Sequence, residues 1–298
     1  MNSSLYFILT CVILLLAAAV NTLILLLKKR KHASKAASKA EEKRFIDAIR
    51  RGLENDEFKM YLQFCVDNKT KKIVSAEALS RWETSDGELL FPGKYIGAMQ
   101  KSGLITQLDY CMFENACRKL AAWRGTAFGE FTISCNFTRI TISAHDFVEK
   151  IEEIANRYEF DHSLLLMEIT EDTIERNLAA ACENILKVKA LGFHIALDDV
   201  GGGCTSLMNL CEYPIDVLKI DRAILLLASN ERGKKLFSGI VALAHYLGLK
   251  VVCEGVETEE QSAFVSAGDC NYVQGWYYAK AISEAEAEVF AAEYMKQF

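Results

Sequence analysis

The chain has 298 residues, 51% of them apolar and 25% charged, with a net charge of −6 and an isoelectric point near 5.6. That size suits one large domain with an appendage, and the composition is that of an ordinary globular protein. The acidic balance provides no global basic field, so a DNA or RNA polymer is not an expected partner, and a dianionic ligand would need local metal ions, Lys or Arg.

Residues 5–27 form the first predicted element, an almost uninterrupted apolar run broken only by Thr10, Asn21 and Thr22. As a helix it would extend roughly 34 Å, enough to span a bilayer core. A cleaved signal peptide would want positive charge ahead of the run, but Met1–Ser4 carries none, and Lys28-Lys29-Arg30-Lys31 follows it instead. The pattern predicts a single-pass inner-membrane anchor with no external sensor domain and with everything after it in the cytoplasm. Residues 28–43 are rich in Ala, Lys and Glu and read as a basic juxtamembrane helical linker, which either holds anionic head groups or serves as a solvated spacer.

From residue 44 to 298, strand-like and helix-like stretches alternate. Lys59–Asp67 and Lys72–Leu79 read as strands joined by the short turn Asn68–Lys71, hence as an antiparallel hairpin, since a parallel crossover needs a dozen residues. Helical patterns follow near Gly93–Lys101 and Thr106–Trp123. Next come a β-rich Phe131–Asn136, an amphipathic Ala144–Tyr158, an apolar strand Leu164–Ile169 and a helix Asn177–Leu191. Phe193–Asp198, Val217–Ile220, Lys250–Glu254 and Tyr272–Gln274 complete the strands, with helices over Arg232–Leu247 and from Glu284. Eight strand candidates in about 250 residues predict an α/β fold, a TIM-like (β/α)8 barrel with an antiparallel first strand, preceded by the membrane helix. The ten cysteines show no Cys-x-x-Cys pair and sit mostly in apolar stretches, as reduced thiols acting as small hydrophobes would, and the five histidines show no ligand spacing.

Seven of the apolar runs end in a single polar residue: Glu77, Asn136, Glu168, Asp198, Lys219, Glu254 and Gln274. In a barrel these would share the carboxyl-terminal mouth, where catalytic groups of such folds collect. Taken one at a time, an Asp-Asp or Glu-x-x-Glu is a turn or a helix cap. Several in register are different, because a buried strand end gains nothing from a carboxylate without a partner. Hard oxygen donors around one point suit Mg²⁺ or Mn²⁺. The pair Asp198-Asp199 can bridge two ions, and two ions about 3.5–4 Å apart clamp the attacking and leaving oxygens of a phosphoryl displacement.

Glu77-Ala78-Leu79-Ser80-Arg81, Ser134-Cys135-Asn136, Glu168-Ile169-Thr170-Glu171, Asp198-Asp199-Val200-Gly201, Lys219-Ile220-Asp221, Glu254-Gly255-Val256-Glu257 and Gln274-Gly275 together resemble the ordered motifs of the EAL-domain family. The resemblance covers residues 44 to 298. It implies a bacterial cyclic di-GMP phosphodiesterase that opens the cyclic dinucleotide to linear pGpG with two Mg²⁺ or Mn²⁺ ions, and a homodimer through the barrel. By that analogy Glu77, Asn136, Glu168 and Asp198 hold one ion, and Asp198, Asp199 and Glu254 the other. Lys219 orients the nucleophilic water. Glu171, counted with the catalytic group, and Glu257 support the loop after Asp199. Gln63, Leu79, Arg81, Gln274 and Asp221 lie on the substrate side, Arg81 as a phosphate contact.

The loop departs from the family's Asp-Phe-Gly-Thr-Gly-Tyr-Ser-Ser-Leu, reading Asp199-Val200-Gly201-Gly202-Gly203-Cys204-Thr205-Ser206-Leu207; Phe64 and Ala281 replace prolines. Three consecutive glycines raise the cost of ordering it. This motivates an alternative, a non-catalytic module that binds the dinucleotide or a protein partner.

Overall fold

A closed ring of eight strands organises the computed structural model, which describes residues 38–170, 179–201 and 213–297 together with Phe7, Asn21, Lys28, Lys29, Lys31, Lys35 and Leu210. The chain divides into two compact units, 1–51 and 52–298. In the first unit the helix α1 begins by residue 38, and it ends at 54, inside the second. Residues 5–27, expected to cross a membrane, lie outside the described residues except for Phe7 and Asn21, and no helix among the described residues is long and apolar enough for a span.

The hairpin forms as its turn chemistry requires. Strands β1 (Phe58–Asp67) and β2 (Ile73–Glu83) pair antiparallel with Gln63 opposite Glu77. Asp67 Oδ1 caps the turn, accepting from the Lys69 and Thr70 amides at 3.0 and 2.7 Å, and Lys71 takes a left-handed φ of 59°. Parallel strands then follow: β4 (Thr132–Asn136), β5 (Leu165–Thr170), β6 (His194–Val200), β7 (Val217–Ile220), β8 (Lys250–Cys253) and β9 (Tyr272–Gln274). Strand β9 pairs antiparallel with β1, Gln274 opposite Cys65, and closes the barrel. Two edge strands of two residues each, β3 (Leu89–Leu90) and β10 (Ile282–Ser283), are additions that the sequence pattern did not announce.

The helices pack outside by an apolar stripe. In α3 (Ile105–Trp123) residues Ile105, Leu108, Met112, Phe113, Ala116, Leu120 and Trp123 are buried at helical spacing. Each large side chain removed from water contributes about 1.5–3 kcal/mol. α2 (Pro92–Ser102) starts on a proline and ends at Gly103 in the left-handed region. The amphipathic stretch after β4 is shorter than its pattern implied: after the single turn α4 (Arg139–Ile142), α5 covers only Phe147–Ala155. Then come α6 (Ala179–Ala190), α7 (Arg222–Leu227), α8 (Glu231–Tyr246), α9 (Glu259–Ala267) and α10 (Glu284–Met295). The buried cysteines behave as small apolar groups, and burial pushes the Cys65 thiol up to about 12.

Candidate active site

Parallel register delivers the polar strand ends to one rim. Asn136 lies beside Glu168 on adjacent strands, and Thr170 beside Asp198, while the amide of Glu254 donates to Ile220 O. Within β2 the alternation sends Glu77 and Leu79 inward, while Ser80 bonds Tyr95 and Trp82 stacks on Phe58 outside the ring. A register shift between Leu197 and Val200 inserts an extra residue in β6. Asp199 occupies it at φ 59°, a conformation that Asp tolerates better than most residues, so Asp198 stays buried while Asp199 faces solvent.

Four carboxylates converge on a single ammonium. Lys219 Nζ stands 2.6 Å from Glu254, 2.8 Å from Glu168, 3.2 Å from Asp198 and 3.6 Å from Glu77. Glu77 is held further by Gln274 Nε2, donating to Oε2 at 2.7 Å, and by Asn136 Nδ2, donating to Oε1 at 2.9 Å. Burial alone would raise the Glu77 carboxyl, but the Lys219 charge and these two hydrogen bonds outweigh it and hold it low. Glu168, 2% exposed, accepts from no side-chain amide among the described residues; burial and then Glu77 push it well above the carboxylate range. Burial, with Asp198 and Glu77 as repulsive neighbours, lifts Glu254 to about 8 against the pull of Lys219. Burial and the charge of Asp198 raise Asp199. Burial would lower Lys219, yet Glu168, Glu254, Glu77 and Asp198 drive it well above its ordinary value.

Beside this cluster lies a cavity of about 250 Å³ walled by Gln63, Leu79, Arg222, Glu257, Gln274 and Trp276, with Glu77 and Glu254 on its floor. Its walls depend on two glycines. Gly255, at φ 67°, lies against the Arg222 side chain, and Gly275 lies so close to the Val256 backbone that a Cβ would collide with it. Arg222 bonds Glu257 at 2.6 Å, and Lys280 lies over the exposed Trp276 ring at 5.3 Å.

The strand-end residues Glu77, Glu168, Asp198, Lys219, Glu254 and Gln274 therefore come together as the sequence predicted, with Asn136 joined through Glu77. Gln63 lines the cavity with its amide donating to Ala279 O at 3.2 Å. Arg81 does not line the cavity: its guanidinium donates to Ser80 O at 2.8 Å and lies over the Phe91 ring at 5.0 Å, an aromatic contact that desolvates it away from the mouth. Asp221 is spent as a helix cap, accepting from the Ala223 amide at 2.7 Å. The carboxylate oxygens face the Lys219 nitrogen, and among the described residues no group of three or more His, Cys, Asp or Glu stands in metal-ligand spacing. The donor set itself, four carboxylates with an amide oxygen beside them, is the hard oxygen chemistry that suits Mg²⁺ or Mn²⁺. Glu171 and loop residues 202–207 lie outside the described residues. Arg222 and Trp276 were missed; each directly follows a recognised motif, and that adjacency was the available signal.

The EAL domain matches residues 46–281. The chain belongs to the EAL-domain family. It is 30% identical over 250 residues to the signaling protein YkoW of Bacillus subtilis, covering 84% of this chain and 31% of YkoW. It is 31% identical to the bifunctional diguanylate cyclase/cyclic di-GMP phosphodiesterase MucR of Pseudomonas aeruginosa, covering 82% of this chain and 36% of MucR. This EAL chain thus spans about a third of the length of these relatives. Among solved structures, the MucR phosphodiesterase in complex with c-di-GMP superposes with a TM-score of 0.77 at 30% identity, over 82% of this chain and 99% of that one. An EAL-domain protein from Listeria monocytogenes gives 0.70 at 28% identity, over 82% and 96%.

Proposed function

We propose that this EAL protein hydrolyses cyclic di-GMP to linear pGpG at the carboxyl-terminal mouth of its barrel. The observation that carries the reading is the convergence of Glu77, Glu168, Asp198 and Glu254 on one point beside a 250 Å³ cavity. The relatives named as cyclic di-GMP phosphodiesterases and the MucR complex support the substrate.

In this reading Glu77, Asn136, Glu168 and Asp198 hold one Mg²⁺ or Mn²⁺, and Asp198, Asp199 and Glu254 a second. Bound divalent cations supply charge stabilisation at the phosphoryl oxygens and an acidified water. The Lys219 ammonium would orient the attacking water. Gln274 and Asn136 fix the Glu77 carboxylate so that its lone pairs are presented in one direction. Gln63 and Leu79 form the wall along which the dinucleotide lies, and Arg222 adds a cation to it.

Incubating the purified full chain with cyclic di-GMP and Mn²⁺ and separating nucleotides by chromatography tests the reading: pGpG is expected from the parent and none from Glu77→Ala. Tight binding with no turnover in both would instead leave a receptor module.

Residues 5–27, with the basic cluster behind them, are further proposed to anchor the chain in the inner membrane with the barrel on the cytoplasmic side. Recovery from the soluble fraction after cell lysis would overturn this. A homodimer through the barrel is proposed by family likeness; light scattering giving only the monomer mass would contradict it.

A further inference from the structure

At the opposite, amino-terminal mouth the barrel is open above a packed layer of Cys65, Ala196, Val217 and Val252. A cavity of about 500 Å³ opens there, twice the volume of the one beside Glu77. Its floor is apolar, with Leu166, Ile215, Val217, Leu249 and Val252. Barrels of this type normally fill their axis with bulky branched side chains. Here the layer beneath the catalytic one carries Cys65, Ser75, Ser134 and Ala196, and a narrower void of about 30 Å³ continues inward to Glu168 and Lys219. The missing side-chain volume is what leaves the mouth open.

The charges around the rim are unequal in what they are free to do. Asp216 is already neutralised by Lys189 Nζ at 2.6 and 2.7 Å, accepts from the Ile195 amide at 2.8 Å and has His194 Nδ1 at 3.1 Å. Lys250 is exposed, donates only to the Tyr272 hydroxyl at 3.1 Å and lies 5.6 Å from that ring; among the described residues no carboxylate pairs with it. Glu130, the other acid of the cavity, precedes β4, which stands four places round the ring from β8 and so on the far wall. One wall therefore offers an uncompensated ammonium with a phenol beside it, and between the walls lie the apolar floor and the hydroxyls of Ser75, Thr132 and Ser163.

We propose that this mouth is a binding site for a small aromatic carboxylate, its ring on the Leu166, Val217 and Val252 floor and its carboxylate on Lys250 Nζ and the Tyr272 hydroxyl. A volume of this size, pairing an apolar floor with polar groups that fix orientation, is what such ligands occupy. The proposal does not depend on the hydrolytic reading, since no residue on the floor or at the Lys250 wall is assigned to it.

The test is photolabelling of the full chain with 4-benzoylbenzoate, followed by mass-spectrometric mapping. Saturable labelling confined to peptides containing Leu166, Val217 or Leu247–Val252 is expected, reduced at least tenfold in Lys250→Glu. Thr132→Phe, which fills the mouth, should abolish it. If either variant fails to fold, Ser163→Trp on the rim serves the same comparison. Labelling that does not saturate, that maps elsewhere, or that persists at the parental level in a folded Lys250→Glu overturns the proposal.

Discussion

Lys219 places its ammonium 2.8 Å from Glu168, a carboxylate only 2% exposed, and in doing so supplies the positive charge that lets an acidic cluster stay folded. Glu168 itself is raised toward its neutral form, and the buried charge that the ammonium chiefly compensates is that of Glu77, which it holds low. Replacing Lys219 with Met should therefore destabilise the metal-free protein by about 3–5 kcal/mol, the cost of leaving buried charge without its partner. Thermal unfolding in EDTA reads this directly, and saturating Mg²⁺ should return much of the loss. Hydrolysis should fall by roughly 10²-fold or more, as when a group that positions the reacting water is removed. A variant that unfolds at the parental temperature in EDTA would contradict the account.

The acidic residues also give stability a pH dependence. Glu254 titrates at about 8 when folded, against about 4.3 in an unfolded chain. The native state therefore keeps a proton that the unfolded state has released, so stability falls as pH rises between those values. Lys219, raised well above its ordinary value, contributes a constant amount over the same window. Calorimetry in EDTA should show a melting temperature several degrees lower at pH 8 than at pH 5. Divalent cation should flatten the slope. A flat profile without metal would exclude this balance.

Gln274 donates to Glu77 at 2.7 Å and leaves that carboxylate a defined orientation. Gln274→Leu should weaken divalent-cation binding by about 10–100-fold, the usual consequence of losing a partner that orients a ligand. Isothermal titration with Mn²⁺ measures it. Unchanged affinity would mean that Glu77 is positioned by Asn136 alone.

Away from the site, Lys189 and Ile195 N hold Asp216 below the ordinary carboxylate range against the burial that would raise it. Its contribution is present above about pH 4 and is lost as pH falls through the lowered folded value. Both partners keep about a quarter of their side-chain surface in water, so Asp216→Asn should cost no more than about 1 kcal/mol. The deficit should be visible in urea melts at pH 7 and vanish near pH 3.

Gly275 meets the Val256 backbone where a Cβ would stand. Gly275→Ala should cost roughly 1–3 kcal/mol as an overpacked contact and displace Trp276 from the cavity wall. A crystal structure of the variant with Val256 unmoved would refute this.

Much of this is legible in the sequence, for physical reasons that differ between elements. Val217–Ile220 and Tyr272–Gln274 were readable to the residue, because a strand buried on both faces has no reason to carry a polar side chain until its last or next-to-last place. The hairpin was readable because four residues leave no room for a crossover. Leu89–Leu90 and Ile282–Ser283 were not readable, since two residues have no period. The site residues were legible as a set, but not their mutual geometry. That Lys219 would sit among the carboxylates, that Arg81 would turn onto Phe91, and that Asp221 would cap α7 are outcomes of packing. No spacing of letters encodes them.

The barrel closes where β1 meets β9, and that closure sets Gln274 beside Glu77 across 197 positions of chain. The seam and the chemistry coincide. Until the three residues of β9 dock, Glu77 lacks its most distant hydrogen-bond partner and the cavity lacks a wall. An almost complete barrel thus lacks part of its site, and the proposed turnover would double as a readout that its last strand has found its first.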